Sequence, residues 1–108
     1  MNQPDVSDIS DMLTNAKKAS IFLKALGNEK RLIILCHLLD QEHTVGSINE
    51  KLPLSQSALS QHLAVLRKDG LVKTRRDSQS IYYSIADEKT VTFIKSLHDL
   101  FCNTEKQE

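Results

Sequence analysis

No stretch of this chain comes near the roughly 20 consecutive apolar residues that a membrane-crossing helix needs. Its opening, MNQPDVSDIS, is acidic and has neither the basic nor the apolar region of a secretory signal. A cytoplasmic protein with no membrane partner is the expectation. Cysteine is scarce: the two present form no CxxC pair, which excludes a thioredoxin-type motif and a zinc knuckle, and two are too few for a disulfide framework. An excess of either charge is missing as well. Fourteen Lys and Arg balance fourteen Asp and Glu, so net charge points to no polyanionic partner and any such binding must be local. There is no internal repeat, no low-complexity segment beyond the polar ends, no phosphate-cradling loop and no nucleophile elbow. An enzyme is not expected.

What is present fits one domain over 1–108: 108 residues, 40% hydrophobic and 26% charged, with 1–7 and 104–108 expected to be flexible. The charges are unevenly placed. Residues 1–15 hold Asp5, Asp8 and Asp11 and no base, whereas 67–76 holds Arg67, Lys68, Lys73, Arg75 and Arg76 against Asp69. An acidic start and a basic block are compatible with nucleic-acid binding.

Ile9, Met12, Leu13, Ala16, Ala19, Leu23 and Leu26 recur at helical spacing and predict a helix over 8–26, ended by Gly27, with Asn28 able to cap the next. RLIILCHLL, 31–39, is nearly all apolar, and its Leu32, Leu35, Cys36 and Leu39 suit a buried helix at the centre of the core. After a polar turn, QEHT, Thr44 can cap a short helix over 45–52, which Pro53 stops. Ser55 is a strong cap for another, running to about Asp69 before Gly70, and the two with their short turn read as a helix-turn-helix. LVKTRR and SIYYSIA, β-branched and aromatic, flank DSQS as the strands of a hairpin wing. Asp87 caps a last helix over 88–103, with Val91, Ile94, Leu97, Leu100 and Phe101 inward or at an interface. The order α-α-α-α-β-β-α is a mainly α winged helix-turn-helix with a small β-hairpin wing. Its first and last helices carry more apolar surface than so small a core can cover, which predicts a two-fold homodimer.

The stretch LSQSALSQHLAVLRKDGLVKTRR, 54–76, begins with small neutral groups and ends in cations. On a helix from Gln56, the residues Ala58, Leu59, Leu63 and Leu66 pack inward, while Gln56, Ser57, Ser60, Gln61 and Ala64 fall opposite, with Arg67 and Lys68 further along. Such a face suits the major groove of double-stranded DNA: Gln pairs with adenine, Ser reaches several bases and Ala meets a thymine methyl. The bases at 67–76 then lie where flanking phosphates run. A two-fold dimer of such heads would read an inverted-repeat operator.

The cysteines are less telling by themselves. Cys36 sits on an apolar face, where a buried Cys is often only a small hydrophobe. Cys102 lies near a helix C-terminus, where the dipole opposes a thiolate, although a protonated His98 one turn earlier would lower its pKa. His37 points elsewhere on the helix from Cys36.

NEKRLIILCHLL, VGSINEKLPLSQSALSQHLAVLRKDGLVKTRR and SIYYSI resemble the ArsR family of dimeric winged-helix repressors, over about 20–103. The resemblance implies DNA binding, with Gln56, Ser57, Ser60, Gln61 and His62 in or near the groove-reading helix, and dimerisation through the first and last helices. Cys36 and Cys102 match the branch that senses oxidants or reactive sulfur species through two cysteines, generally without metal or other cofactor. It also implies that the two thiols lie together within one subunit. Oxidation would then link the second and last helices by a disulfide or polysulfide bridge and lower operator affinity.

Two other readings carry less. A metal-responsive repressor would need ligands that the family's cysteine cluster supplies, but the corresponding segment here is EHTVGSI, and the last helix offers only His98 and Asp99. A thiol redox enzyme would want an exposed, low-pKa Cys at a helix N-terminus, and neither Cys is so placed.

Overall fold

Five helices and a three-stranded antiparallel sheet make up residues 6–102, the part described by our computed structural model: α1 (Val6–Leu26), α2 (Glu29–His37), β1 (His43–Thr44), α3 (Val45–Lys51), α4 (Gln56–Lys68), β2 (Val72–Asp77), β3 (Ser80–Ile85) and α5 (Glu88–Cys102). The winged helix-turn-helix is as expected. Most of the ends expected to be flexible lie outside the described residues, but Val6 and Ser7 already belong to α1. Among the described residues no helix is long and apolar enough to cross a membrane.

Short-range hydrogen bonds fix where the helices begin and end. Asn28 Oδ1 accepts from the backbone N–H of Lys30 at 2.9 Å and of Arg31 at 3.1 Å, so α2 starts at Glu29 and ends at His37, two residues earlier at each end than the apolar run suggests. Arg31 in turn donates from Nε to the Ala25 carbonyl at 2.7 Å, placing a cation on the last carbonyls of α1. Thr44 and Ser55 cap α3 and α4 through the N–H groups of Ser47 and Ala58, each at 3.1 Å. Between these helices Asn49 Nδ2 donates to the Leu54 carbonyl at 2.7 Å and holds the turn around Pro53. Leu52 is already extended, so α3 stops at Lys51, one residue short of the expected end.

α4 ends in a Schellman motif. Gly70 takes φ +82°, its N–H reaches the Arg67 carbonyl at 3.1 Å, and Leu71 N–H reaches that of Leu66 at 2.8 Å. The chain thereby turns straight into the wing, whose register pairs Val72 with Ile85, Thr74 with Tyr83 and Arg76 with Ile81. Ser78, at φ +59°, occupies the first position of the two-residue hairpin turn, a conformation that glycine usually fills. The turn expected at QEHT contains a strand instead. β1 pairs with β3 through His43 and Tyr83 and through Thr44 and Tyr82, giving the sheet order β1-β3-β2.

Ile34, Leu35, Ile48, Leu59, Leu63, Leu66, Leu71 and Ile94 form a core that joins α2, α3, α4, the wing and α5. Of the stripe on α1 only its end, Leu26, enters the core, beside Ala25. Ile9, Met12, Leu13, Ile21 and Leu23 stay exposed in the protomer, as do Phe93, Leu100 and Phe101 of α5. The two helices touch through Phe22 and Phe93, edge to face at 5.2 Å.

Asp87 caps α5, accepting from the Thr90 N–H at 2.9 Å and its hydroxyl at 2.8 Å. The Thr90 N–H, then its hydroxyl, hold the Asp87 carboxyl below its ordinary range. A depressed folded-state pKa stabilises above the unfolded value, and the benefit is lost as pH falls through the folded one. Asp87→Ala should therefore cost about 1 kcal/mol in urea unfolding at neutral pH, and Asp87→Asn much less. The gap between wild type and Asp87→Ala should close in acid, below the unfolded carboxyl's 3.8.

Candidate nucleic-acid interface and thiol pair

α4 separates its residues as its spacing requires. Leu59, Leu63 and Leu66 are buried and Ala58 is half-buried, whereas Gln56, Ser57, Ser60, Gln61, Ala64, Arg67 and Lys68 are exposed on the outer side. His62 is half-buried, at the border between the faces. No acid lies on α4, so its outward face offers only neutral hydrogen-bonding groups and, in its last turn, cations.

The wing has two unlike faces, because directly opposed residues of an antiparallel pair share a side. Val72, Thr74, Arg76, Ile81, Tyr83 and Ile85 lie on the side that packs toward the core. Lys73, Arg75, Asp77, Ser80, Tyr82 and Ser84 lie on the other. Arg75 and Arg76, which looked alike in sequence, are therefore differently employed.

Arg75 reaches across β3 to Glu42, just before β1, with Nε–Oε1 3.0 Å and Nη2–Oε2 2.6 Å. Its guanidinium stacks over Tyr82 at 4.7 Å and lies 3.8 Å from Asp77. The hydrogen bonds from Arg75 hold the Glu42 carboxyl below its usual range. Arg75 thus spans the sheet as a brace with its charge already compensated. Arg76 is exposed and has no carboxylate in ion-pair contact among the described residues. Glu42 and Tyr82 were not singled out in sequence. The run of two tyrosines in the wing is the sequence signal that could have found Tyr82.

The cysteines are both free thiols, Cys36 half-buried on α2 and Cys102 exposed at the end of α5. Burial, and then negative charge on Cys102, push the Cys36 thiol up, and α2 and α5, which carry the two cysteines, pack against each other. His98 Nδ1 lies 3.9 Å from Asp99 Oδ1. His37 is turned to another partner, stacking on His43 with ring centroids 4.4 Å apart. Burial first, then repulsion from His43, lower its pKa. Among the described residues no group of three or more His, Cys, Asp or Glu is arranged to hold a metal ion.

Residues 28–74, from the cap of α2 to the middle of β2, match the model of the bacterial regulatory protein, arsR family. The chain is 48% identical over 99 residues to the transcriptional activator HlyU of Vibrio cholerae, covering 92% of each. It is 36% identical to the biofilm growth-associated repressor of Xylella fastidiosa, covering 90% of this chain and 85% of that one. The solved structure of reduced HlyU from Vibrio cholerae matches with a TM-score of 0.80 at 51% identity, over 85% of this chain and 97% of that one.

Proposed function

The chain belongs to the arsR family and is a DNA-binding transcriptional regulator, not an enzyme, and from that premise we propose that it works as a homodimer on an inverted-repeat operator and lets go when Cys36 and Cys102 are bridged. The observation that carries the switch is the pair of free thiols, one shielded and one exposed, on α2 and α5, two helices that pack against each other. The inducer is a reactive sulfur species or an oxidant. A peroxide would take two electrons from the two thiols, leaving a disulfide and two waters. Two zero-valent sulfur atoms from a persulfide donor would leave a trisulfide and hydrogen sulfide. Neither route needs a cofactor or a metal.

The operator is read by the outward face of α4. Gln56, Ser57, Ser60 and Gln61 meet base edges, with His62 at the border, and Arg67, Lys68 and Arg76 meet phosphates. Arg75 holds the wing in place through Glu42 and Tyr82. These roles separate in affinity titrations on a duplex selected from a random pool and on a scrambled one. Ser57→Ala and Gln61→Ala should lower affinity for the selected duplex and relax the preference. Arg76→Ala should weaken both alike and reduce the salt slope by roughly 0.9. Arg75→Ala should leave that slope where it was, since its charge is already met by Glu42. If the wing changes alter sequence preference while the helix changes do nothing, the groove assignment is wrong.

A further inference from the structure

α4 and the wing do not close fully on each other. Between them lies a cavity of about 430 Å³, bordered by Ser60, Leu63, Ala64, Arg67 and Lys68 of α4 and by Tyr83 of β3. Leu63, 1% exposed, is its apolar floor, and Ala64 leaves the entrance wide. The remaining border is one hydroxyl, two cations and one phenol, with no carboxylate. The strand register puts Tyr83 on the same side of the wing as Thr74 and Arg76, away from the Glu42–Arg75 brace. Its side chain is half-buried against the core, and its hydroxyl has no hydrogen-bond partner among the described residues.

That hydroxyl is the informative atom. In the open notch a phenol can hydrogen-bond to solvent, but once a duplex covers α4 a phenol without an acceptor would oppose binding. The acceptor must be anionic, because Arg67 and Lys68 border the same space and no protein acid enters it. It must also be small enough for a notch one side chain deep. A phosphate group meets both demands, and a base edge does not need two cations.

We propose that this notch seats one backbone phosphate of the operator, with charge from Arg67 and Lys68 and a hydrogen bond donated by the Tyr83 hydroxyl. Tyr83, absent from the residues that sequence alone nominated, then contacts DNA and fixes the wing against α4 on the duplex. The inference rests on the DNA-binding reading above.

Tyr83→Phe removes one oxygen and keeps the ring that packs on the core. On a duplex selected from a random pool by reduced wild type, this variant should bind about tenfold more weakly, as for one hydrogen bond to a charged group. The loss should be equal on a scrambled duplex, and the salt slope unchanged, because no charge is removed. Lys68→Ala should instead lower the slope by roughly 0.9. Duplexes carrying one neutral methylphosphonate linkage, moved along the half-site, locate the seat. At one linkage wild type should lose more affinity than Tyr83→Phe, because that variant has already lost the phenol's contribution. Wild-type affinity in Tyr83→Phe, a loss confined to the selected duplex, or equal sensitivity of both proteins at every linkage would overturn the seat. Wild type that selects no duplex would sink the DNA-binding reading and the seat together, so the two failures are told apart.

Discussion

Reduced protein on its operator is expected to lose at least tenfold in affinity when treated with peroxide or a persulfide donor, and to regain it on reduction. A tenfold change asks for only about 1.4 kcal/mol of difference between the two states. A bridge between α2 and α5 closes a long loop, and in the chain-entropy model that constrains the unfolded chain by about 4 kcal/mol. This term raises stability but does not touch DNA affinity. The loss must come from a new placement of α5, which carries both Cys102 and part of the exposed apolar face. Exposure makes Cys102 the first to meet the reagent, while burial and a raised pKa hold Cys36 back as the thiol that resolves the adduct. Cys36→Ser should therefore collect an adduct on Cys102, visible by mass spectrometry, and still bind DNA. Cys102→Ser should react more slowly and also bind. Neither should respond to inducer in the binding titration. Unchanged affinity in treated wild type, or a response that survives in either variant, would sink the two-thiol switch. A response that follows zinc and chelator but ignores oxidant would transfer the function to metal sensing.

The parts of the fold that sequence made legible are those fixed by contacts a few residues apart. Asn28, Thr44, Ser55 and Asp87 each cap the helix that follows, and Gly70 stops α4, because these bonds close within one turn of chain. β1 was hidden for the opposite reason. It has two residues, too few to show alternation, and it is a strand only because β3 lies beside it. The wing shows the same limit at side-chain level. Arg75 and Arg76 are neighbours with identical chemistry, and what separates them is a carboxylate 33 residues away in sequence. For the thiols, residue chemistry offered one buried hydrophobe and one thiol at an unfavourable helix end. Whether they meet depends on how α5 packs against α2, which no local pattern encodes.

Leu13→Asp should turn the protein into a monomer and lower operator affinity at least a hundredfold, within the range that joining two binding heads contributes. Leu13 is 68% exposed and Phe101 75% exposed in the protomer, on the helices that open and close the described chain. Large exposed apolar side chains on two helices that touch through Phe22 and Phe93 suit a surface that another chain covers. A second copy fits because a two-fold axis would lay α1 and α5 of each protomer against their equivalents and set two α4 faces roughly one turn of DNA apart. A charge placed where the protomer is already solvated does not disturb its fold, so circular dichroism and urea unfolding should show little change. Sedimentation should show the loss of the dimer. The variant also tests how the switch is transmitted. If a bridge acts by moving α5 at the interface and so changing the spacing of the two heads, a monomer has no spacing to change. Its weak binding to a single half-site should then be the same before and after oxidation, although the thiols still react. A monomer that keeps the full oxidant response would place the effect within one protomer, at α4 or the wing. A Leu13→Asp protein that remains dimeric with wild-type affinity would show that this face is not the interface.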